Sequence, residues 1–442
     1  MRVDEIQKNI PEDNADYDVI VCGGGPAGLG AAWASAKAGA KTLLIEARSF
    51  FGGVAQVGLW MPMNRMFNRG KSRGGVHEAF IKIFDQYQPD SYIPGIENKI
   101  AKDGLDIHPD YLRLCAYELL ESVGCHYLLY SPVIGVTMDG NAVREVEVQQ
   151  KEGTARFAAK VFIDATGDAD VAFLAGAPVE KGRAEDGLMM PMSLSFALSN
   201  VDADTILAHA NDADKRAVME AAVQEAGKEG YQVARWYFFD KTTVPGTISV
   251  NNGGPLETWD KNMDGTQTRD INVIDRLGVK IAVDFVRIAR ERKLPGLENC
   301  SLMRVGPHPG VRETRRIIGD YTLSETDAFE GTQFDDVISV RYGDHADSQN
   351  IKLERHEVFY GHHFPWRSCL PRGIDGLAVV GRCAAASQTA LTAARSMGNM
   401  LAMGQGAGAA AAVAAIDGQD TRKADITKAQ KFLENQGVDL NR

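Results

Sequence analysis

The sequence predicts an α/β protein: a Rossmann-like nucleotide-binding domain with a lobe of mixed α+β texture inserted into it. Three observations predict it. Asp18 to Gly30 reads DVIVCGGGPAGLG, a short apolar strand running into Gly23, Gly25 and Gly28 and then into an alanine-rich helical stretch. The next apolar run, Thr42 to Ile45, ends at Glu46, 18 residues past Gly28. Elements of this kind recur at 17–58, about 105–180 and 371–417, and the stretch 186–369 between the last two differs in texture.

A strand, tight glycine turn and helix in sequence present backbone N–H groups at a helix N-terminus, where a pyrophosphate can sit. A lone G-x-G-x-x-G carries little weight, but here the strand–helix–strand context is present. The helix PAGLGAAWASAKAG stops at Gly39, a left-handed C-cap. Glu46 stands where an acid bonds both hydroxyls of an adenosine ribose, and an acid rather than an arginine argues for FAD or NAD over NADP.

With 442 residues, 44% of them hydrophobic, the chain can bury a large core and is expected to form two lobes. A net charge of −11 disfavours nucleic acid or an anionic membrane as partner. The N-terminal stretch MRVDEIQKNIPEDNADYD has no apolar h-region, and no apolar run approaches the ~18 residues of a membrane span, so a soluble, cytoplasmic protein is expected. The six cysteines, Cys22, Cys115, Cys125, Cys300, Cys369 and Cys383, form no C-x-x-C pair and are read as free, buried thiols.

The expected organisation follows in order. Residues 16–58 form the first piece of the nucleotide-binding domain and 59–104 a covering or lid segment. That segment gathers Arg65, Arg69, Lys71 and Arg73 in NRMFNRGKSRGG, either a solvated hinge or a lid that recruits a polar or anionic substrate, with Trp60, Met61, Met63 and Met66 as its apolar wall. Residues 105–185 are the second piece, a β-meander followed by a strand ending at Ala165-Thr166-Gly167. Residues 186–369 are the substrate domain, with strands at Ser193–Leu198 and Trp236–Phe239. Its long helix places Ile274, Leu277, Ile281, Phe285 and Ile288 on one face and Asp275, Lys280, Asp284 and Arg287 on the other. Residues 370–420 are the third piece and 421–442 a C-terminal helix. Gly404, Gly406 and Gly408 fall inside a helical stretch, so close helix packing explains them better than a second nucleotide turn.

Three sequence-distant pieces around one long cofactor favour FAD over NAD. The chain resembles the FAD-dependent oxidoreductase family of two-dinucleotide-binding flavoproteins, distantly similar to the fumarate reductase flavoprotein fold. The resemblance rests on GGGPAGLGAAWASAKAG with Glu46 and Gly52-Gly53, FIDATGDADVAFLAGAP, PMSLSFALSNVD, GVRETRRIIGDYTLSETD, FPWRSCLPRGIDGLAVVGRC and ARSMGNMLAMGQGAGAAAA. It implies a Rossmann-like FAD-binding domain with an inserted α+β substrate domain. It also implies FAD on Gly23, Gly25, Pro26, Ala27 and Gly28 at the pyrophosphate and on Glu46, Ala47 and Arg48 at the ribose end. Gly53 and Val54 fall beside the flavin, Val133 at the adenine, and Ala165 and Gly167 near the pyrophosphate. Gly381, Arg382, Met397, Gly398 and Asn399 face the ribityl chain and flavin, where a helix N-terminus would stabilise negative charge.

A flavin accepts hydride at N5, so the protein has to place a C–H bond there and, for an alcohol, remove a proton. Of nine histidines, His77, His108 and His126 sit in no motif, whereas His308 in GPHPGVRETRR and the His362-His363 pair in YGHHFPWRSC flank the family blocks. His308 or His363 is the expected base. Arg312, with Arg315 and Arg316 at an expected helix start, either approaches the cofactor or joins ion pairs with Glu313 and Asp320. A zinc site from His308, His345, His356, His362 and His363 fits no known ligand spacing, and no metal is expected. The expected activity is hydride removal from a small polar molecule at a C–OH carbon, that of an alcohol, polyol or sugar, with O2 or a carrier as electron acceptor. The rivals are a C–C desaturase or ene reductase and a flavin-binding electron-transfer subunit. Substrate identity and any oligomer stay open.

Overall fold

The structure, a computed structural model, describes residues 2–11, 15–94, 103–343 and 357–441; His345 and His356 lie outside them. Strand β1 (Tyr17–Cys22) enters helix α1 (Pro26–Lys37), and Gly39 at φ +97° returns the chain to β2 (Thr42–Ile45). Helices α2 (Gly75–Asp85) and α3 (Pro109–Glu121) follow, then β3 (His126–Leu128). The meander β4 (Val133–Asp139), β5 (Ala142–Gln149) and β6 (Thr154–Asp164) comes next. The first half of β6 pairs antiparallel with β5, and its last residues pair parallel with β1. One strand thus joins the meander to the parallel sheet.

In the inserted region, strands Tyr237–Lys241, Thr247–Asn252, Phe196–Ser199 and Ser301–Val305 make a separate four-stranded antiparallel sheet in that order. One face packs on α4 (Thr268–Glu291) through Phe196, Leu198, Phe239, Ile248 and Phe285. Asp284, expected on the solvent face of α4, is instead fully buried, because Gln232 N–H donates to it at 2.8 Å and Lys280 bonds its other oxygen. The stretch 186–369 does not pack as one unit. Leu323, Val337, Ile338, Phe364, Trp366 and Leu370 belong to the same core as β1 and α1.

Strand β7 (Leu377–Val379) adds to β6 in parallel, giving the order β3-β2-β1-β6-β7. The chain ends in α5 (Met397–Ile416) and α6 (Ile426–Asn435). Val19 and Val21 of β1 face the core containing α1 and α5, while Ile20 and Cys22 face the meander. Burial on both sides explains why β1 and β2 read as continuous apolar runs rather than alternating ones.

Helices α1 and α5 touch at their backbones. A Cβ on Gly404 would overlap the carbonyl oxygen of Ala27, one on Gly408 that of Ala31, and one on Gly30 that of Leu401. Ser35 Oγ seals the contact by donating to Gly408 O at 3.0 Å. The glycine run is therefore helix packing, as its position within a helical stretch predicts. Gly404→Ala should cost about 1–3 kcal/mol of stability by forcing the helices apart, and urea unfolding checks it. Helix α5 is the one described helix long and apolar enough to cross a membrane, and 83% of that stretch is buried here.

Candidate cofactor and substrate site

The turn after β1 gives each glycine a different task. Gly23, at φ +106°, leaves no room for a side chain against the backbone of Ala165, and a Cβ on Gly28 would overlap the carbonyl oxygen of Gly23. Gly25 alone opens into space, its nearest neighbour in the direction of a Cβ being Gly53 Cα at 4.0 Å. It is also the N-cap of α1, with Pro26 in the first turn, so the amides of Ala27 and Gly28 belong to the first turn, which lacks helical acceptors.

Glu46 is 8% exposed at the end of β2. One carboxylate oxygen accepts from Gly24 N–H at 2.6 Å and the other from Arg48 N–H at 2.8 Å. An ionised carboxylate has about four acceptor positions, so both oxygens keep capacity for a diol. Ser131 N–H donates to Glu46 O at 3.0 Å, which brings the start of β4, at Val133, alongside; Ala47 between them is exposed.

Across the turn, Gly167 (φ +78°) lies under the Arg382 guanidinium. Arg382 bonds Asp168 at 2.5 Å and Thr314 Oγ1 at 2.8 Å. Gly381 (φ +87°) comes close to Ala27, and the short helix Val54–Val57 starts from Gly53 at φ +50°. Met397, Gly398 and Asn399 begin α5 as expected. The Asn399 side chain, however, turns to Tyr342 and Arg73, leaving only its backbone for any cofactor contact.

The inserted sheet reaches this groove through one histidine. His308 Nδ1 lies 2.6 Å from Pro309 O and therefore carries the proton, leaving Nε2 as acceptor, 3.0 Å from the Arg48 guanidinium. Burial first, then the charge of Arg48, lowers the His308 pKa below 6.5, so its ring is neutral at pH 7. His308 and Arg48 are thus brought together from 260 residues apart.

The other expected catalytic groups go elsewhere. His363 is 2% exposed on the hairpin of Val337–Arg341 and His362–Pro365, with Nδ1 3.2 Å from Phe334 N and Nε2 3.3 Å from Asn441 O. Both nitrogens are spent on backbone. Arg312 donates to Pro191 O at 2.7 Å and Asn252 O at 3.0 Å and ties loops of the insert together. No helix starts there: residues 311–315 are irregular, since their guanidinium groups cross-link separate segments. Arg316 pairs with Glu313 and Glu180, Arg315 with Asp170, and Asp320 pairs with Arg422 instead. No group of three metal-ligating side chains gathers among the described residues, and all six cysteines are free and buried.

Sequence reasoning missed three groups. Gln56 Oε1 and Ser396 Oγ are buried without a hydrogen-bond partner, one just after Gly53 and the other just before Met397. These unfilled polar atoms, the open side of Gly25 and the spare capacity of Glu46 fit a bound dinucleotide. The third is Asp106, fully buried with neither oxygen bonded. Burial, and next the charge of Asp240, raise its pKa to about 9. Asp240 shares a face of the inserted sheet with Ser249 and Ala197, and Ala197 packs on Leu59 and Trp60. Because the folded-state pKa is raised, folding binds a proton that the unfolded chain releases, so Asp106 costs stability increasingly as pH rises from about 4 towards 9. Asp106→Asn should therefore stabilise the protein by about 2 kcal/mol or more at pH 8 and much less at pH 5. Equal unfolding midpoints for variant and parent at pH 8 would contradict this.

Fold and turn together define a protein built on a dinucleotide-binding domain. Among solved structures, a flavin-dependent brominase superposes with a TM-score of 0.51 at 13% identity, covering 96% of this chain and 84% of that one. The p-nitrophenol 4-monooxygenase of Pseudomonas putida gives 0.50 at 12% identity, covering 95% and 84%. At such identities the likeness shows the fold alone. The family model described as FAD dependent oxidoreductase matches residues 18–433, so the chain belongs to the FAD-dependent oxidoreductases: an enzyme whose cofactor is FAD. Curated relatives are similar over shorter stretches. Thiamine thiazole synthase of Aeropyrum pernix is 30% identical over 185 residues, 40% of this chain and 63% of that protein. Digeranylgeranylglycerophospholipid reductase of Picrophilus torridus is 30% identical over 166 residues, 34% and 39%. The chain thus spans less than two thirds of either relative.

Proposed function

We propose that the protein oxidises a small polar substrate, an alcohol, polyol or sugar, at a C–OH carbon, with His308 taking the hydroxyl proton. The single observation that carries this reading is the neutral His308 ring, which meets Arg48 from a loop whose Gly306 abuts Val57 O, at the end of the short helix that starts from Gly53. When bound, FAD supplies the hydride acceptor. The glycine turn from Gly23 to Gly28 and Glu46 hold the dinucleotide. Arg48 and Arg382 place positive charge along it, and the backbone at Met397–Asn399 faces the flavin end. His308 Nε2 becomes available as a base once Arg48 turns from it, and Pro307 and Pro309 stiffen the loop that positions it. The likeness to a reductase over 166 residues supports a second reading, reduction of a C=C bond, in which the same residues hold the cofactor and the proton that completes the reduction comes from solvent, the His308 ring being neutral.

Anaerobic mixing with a panel of polyols, sugars, hydroxy acids and amines tests the first reading. Bleaching of the flavin absorbance by a hydroxylated member is expected. A flavin that stays oxidised with every member overturns it.

A further inference from the structure

A cavity of about 100 Å³ flanks α5 beside Ala402 and Gln405. Lys71, Arg73, His77, Ser339, Tyr342 and Asp439 line it. None of these belongs to the glycine turn or the Arg48–His308 contact.

Arg73 is 7% exposed. Its guanidinium donates to Arg65 O at 2.7 Å, Asn399 Oδ1 at 3.0 Å and Val340 O at 2.9 Å, and lies over the Tyr342 ring. Every one of these partners is neutral, and no carboxylate pairs with Arg73 among the described residues. Burial accordingly lowers its pKa to about 10. Asp103 acts on it only from a distance, and a buried cation with no carboxylate in direct contact is costly, a cost that an anion in the adjoining space would lower. Lys71, exposed at the same wall, has no ion pair among the described residues either.

The neutral groups add a second requirement. His77 is 1% exposed, and its Nε2 lies 2.8 Å from Gly398 O. A carbonyl can only accept, so Nε2 carries the proton, and Nδ1 presents a lone pair that no described residue answers. Burial, with the charge of Arg73 beside it, keeps this imidazole neutral. The hydroxyl of Ser339, in a residue 4% exposed, also makes no hydrogen bond among the described residues. Asp439, the single acid on the wall, opposes a fully ionised ligand and offers one more acceptor.

We propose that this cavity is a binding site for a small oxyanion that keeps a hydroxyl proton, a hydrogen phosphate or a hydroxycarboxylate. Its charged oxygens meet Arg73 and Lys71, and its O–H meets the acceptors of His77, Ser339 and Asp439. Because Arg73 and His77 also hold Asn399 and Gly398, occupancy would stiffen the first turn of α5.

The test uses the protein saturated with FAD, so that no phosphate enters the dinucleotide groove. Thermal unfolding is followed against phosphate, glycolate and chloride at constant ionic strength. A saturable rise in Tm with phosphate or glycolate, and none with chloride, is expected; which anion acts separates the two ligand sources. Lys71→Ala and Ser339→Val break no hydrogen bond or ion pair within the described fold, and each should shift the anion midpoint upward by about tenfold. A Tm that responds to neither anion, or unshifted midpoints in both variants, would overturn the proposal.

Discussion

Glu46→Ala is expected to weaken FAD binding by a factor of about 10² to 10⁴. The side chain ends β2 beside the glycine turn, and its two oxygens already accept from Gly24 N–H and Arg48 N–H. Their remaining capacity serves two ribose hydroxyls, each charge-assisted bond contributing ~1.5–3 kcal/mol. Alanine also strips the two amides of their acceptor, which loosens the turn that has to meet the pyrophosphate. Glu46→Gln keeps the shape and removes the charge, so it should fall between the two. Recovery of flavin fluorescence on dilution measures release directly, and parental affinity in the alanine variant would remove Glu46 from the ribose.

His308→Asn should leave FAD bound and slow substrate-driven flavin reduction by about 10² to 10⁴, the usual cost of losing a general base. The parental rate should be flat near neutral pH and decline only as pH falls through the lowered His308 pKa, below 6.5, because the neutral ring is the active form. Arg48→Met removes one of the causes of that lowering, so its acid limb should move to higher pH. His363→Asn serves as the control. Its ring bonds Phe334 N–H and lies near Asn441 O, so this substitution should lower stability and leave the reduction rate unchanged. Normal reduction by His308→Asn, or a slow His363→Asn of parental stability, would reverse the assignment.

The sequence was most legible where local chemistry decides the structure. The turn at Gly23–Gly28 is legible because the positive φ of Gly23 and the closeness of Gly28 to Gly23 O admit no side chain, and the place of Glu46 beside it is legible because a strand end fixes its distance from the turn. Gly404 and Gly408 are legible for the same reason. What stayed hidden depends on contacts between distant segments. RETRR suggests a helix start, but its guanidinium groups reach carbonyls and carboxylates contributed by five other segments, and those bonds hold the backbone irregular. His308 and His363 are equivalent on sequence grounds; only the fold shows one meeting Arg48 and the other closing the chain terminus. Asp106 lies in GLDIHPD with no motif, and nothing local announces that both its oxygens are buried unbonded. Asp284 falls on the polar stripe of α4 by periodicity, yet the backbone of Gln232 draws it inside.

A hydride that leaves a C–OH carbon of the substrate makes flavin reduction sensitive to isotope substitution at that carbon. The hydroxylated compound that bleaches the flavin is prepared with deuterium in place of the carbinol hydrogen, and anaerobic reduction is timed by stopped flow. Slower reduction by the deuterated compound is expected in the parent protein, together with loss of most of the rate in His308→Asn. A flavin that no hydroxylated compound reduces, yet which after chemical reduction is reoxidised by an activated alkene, would contradict it and establish C=C reduction instead.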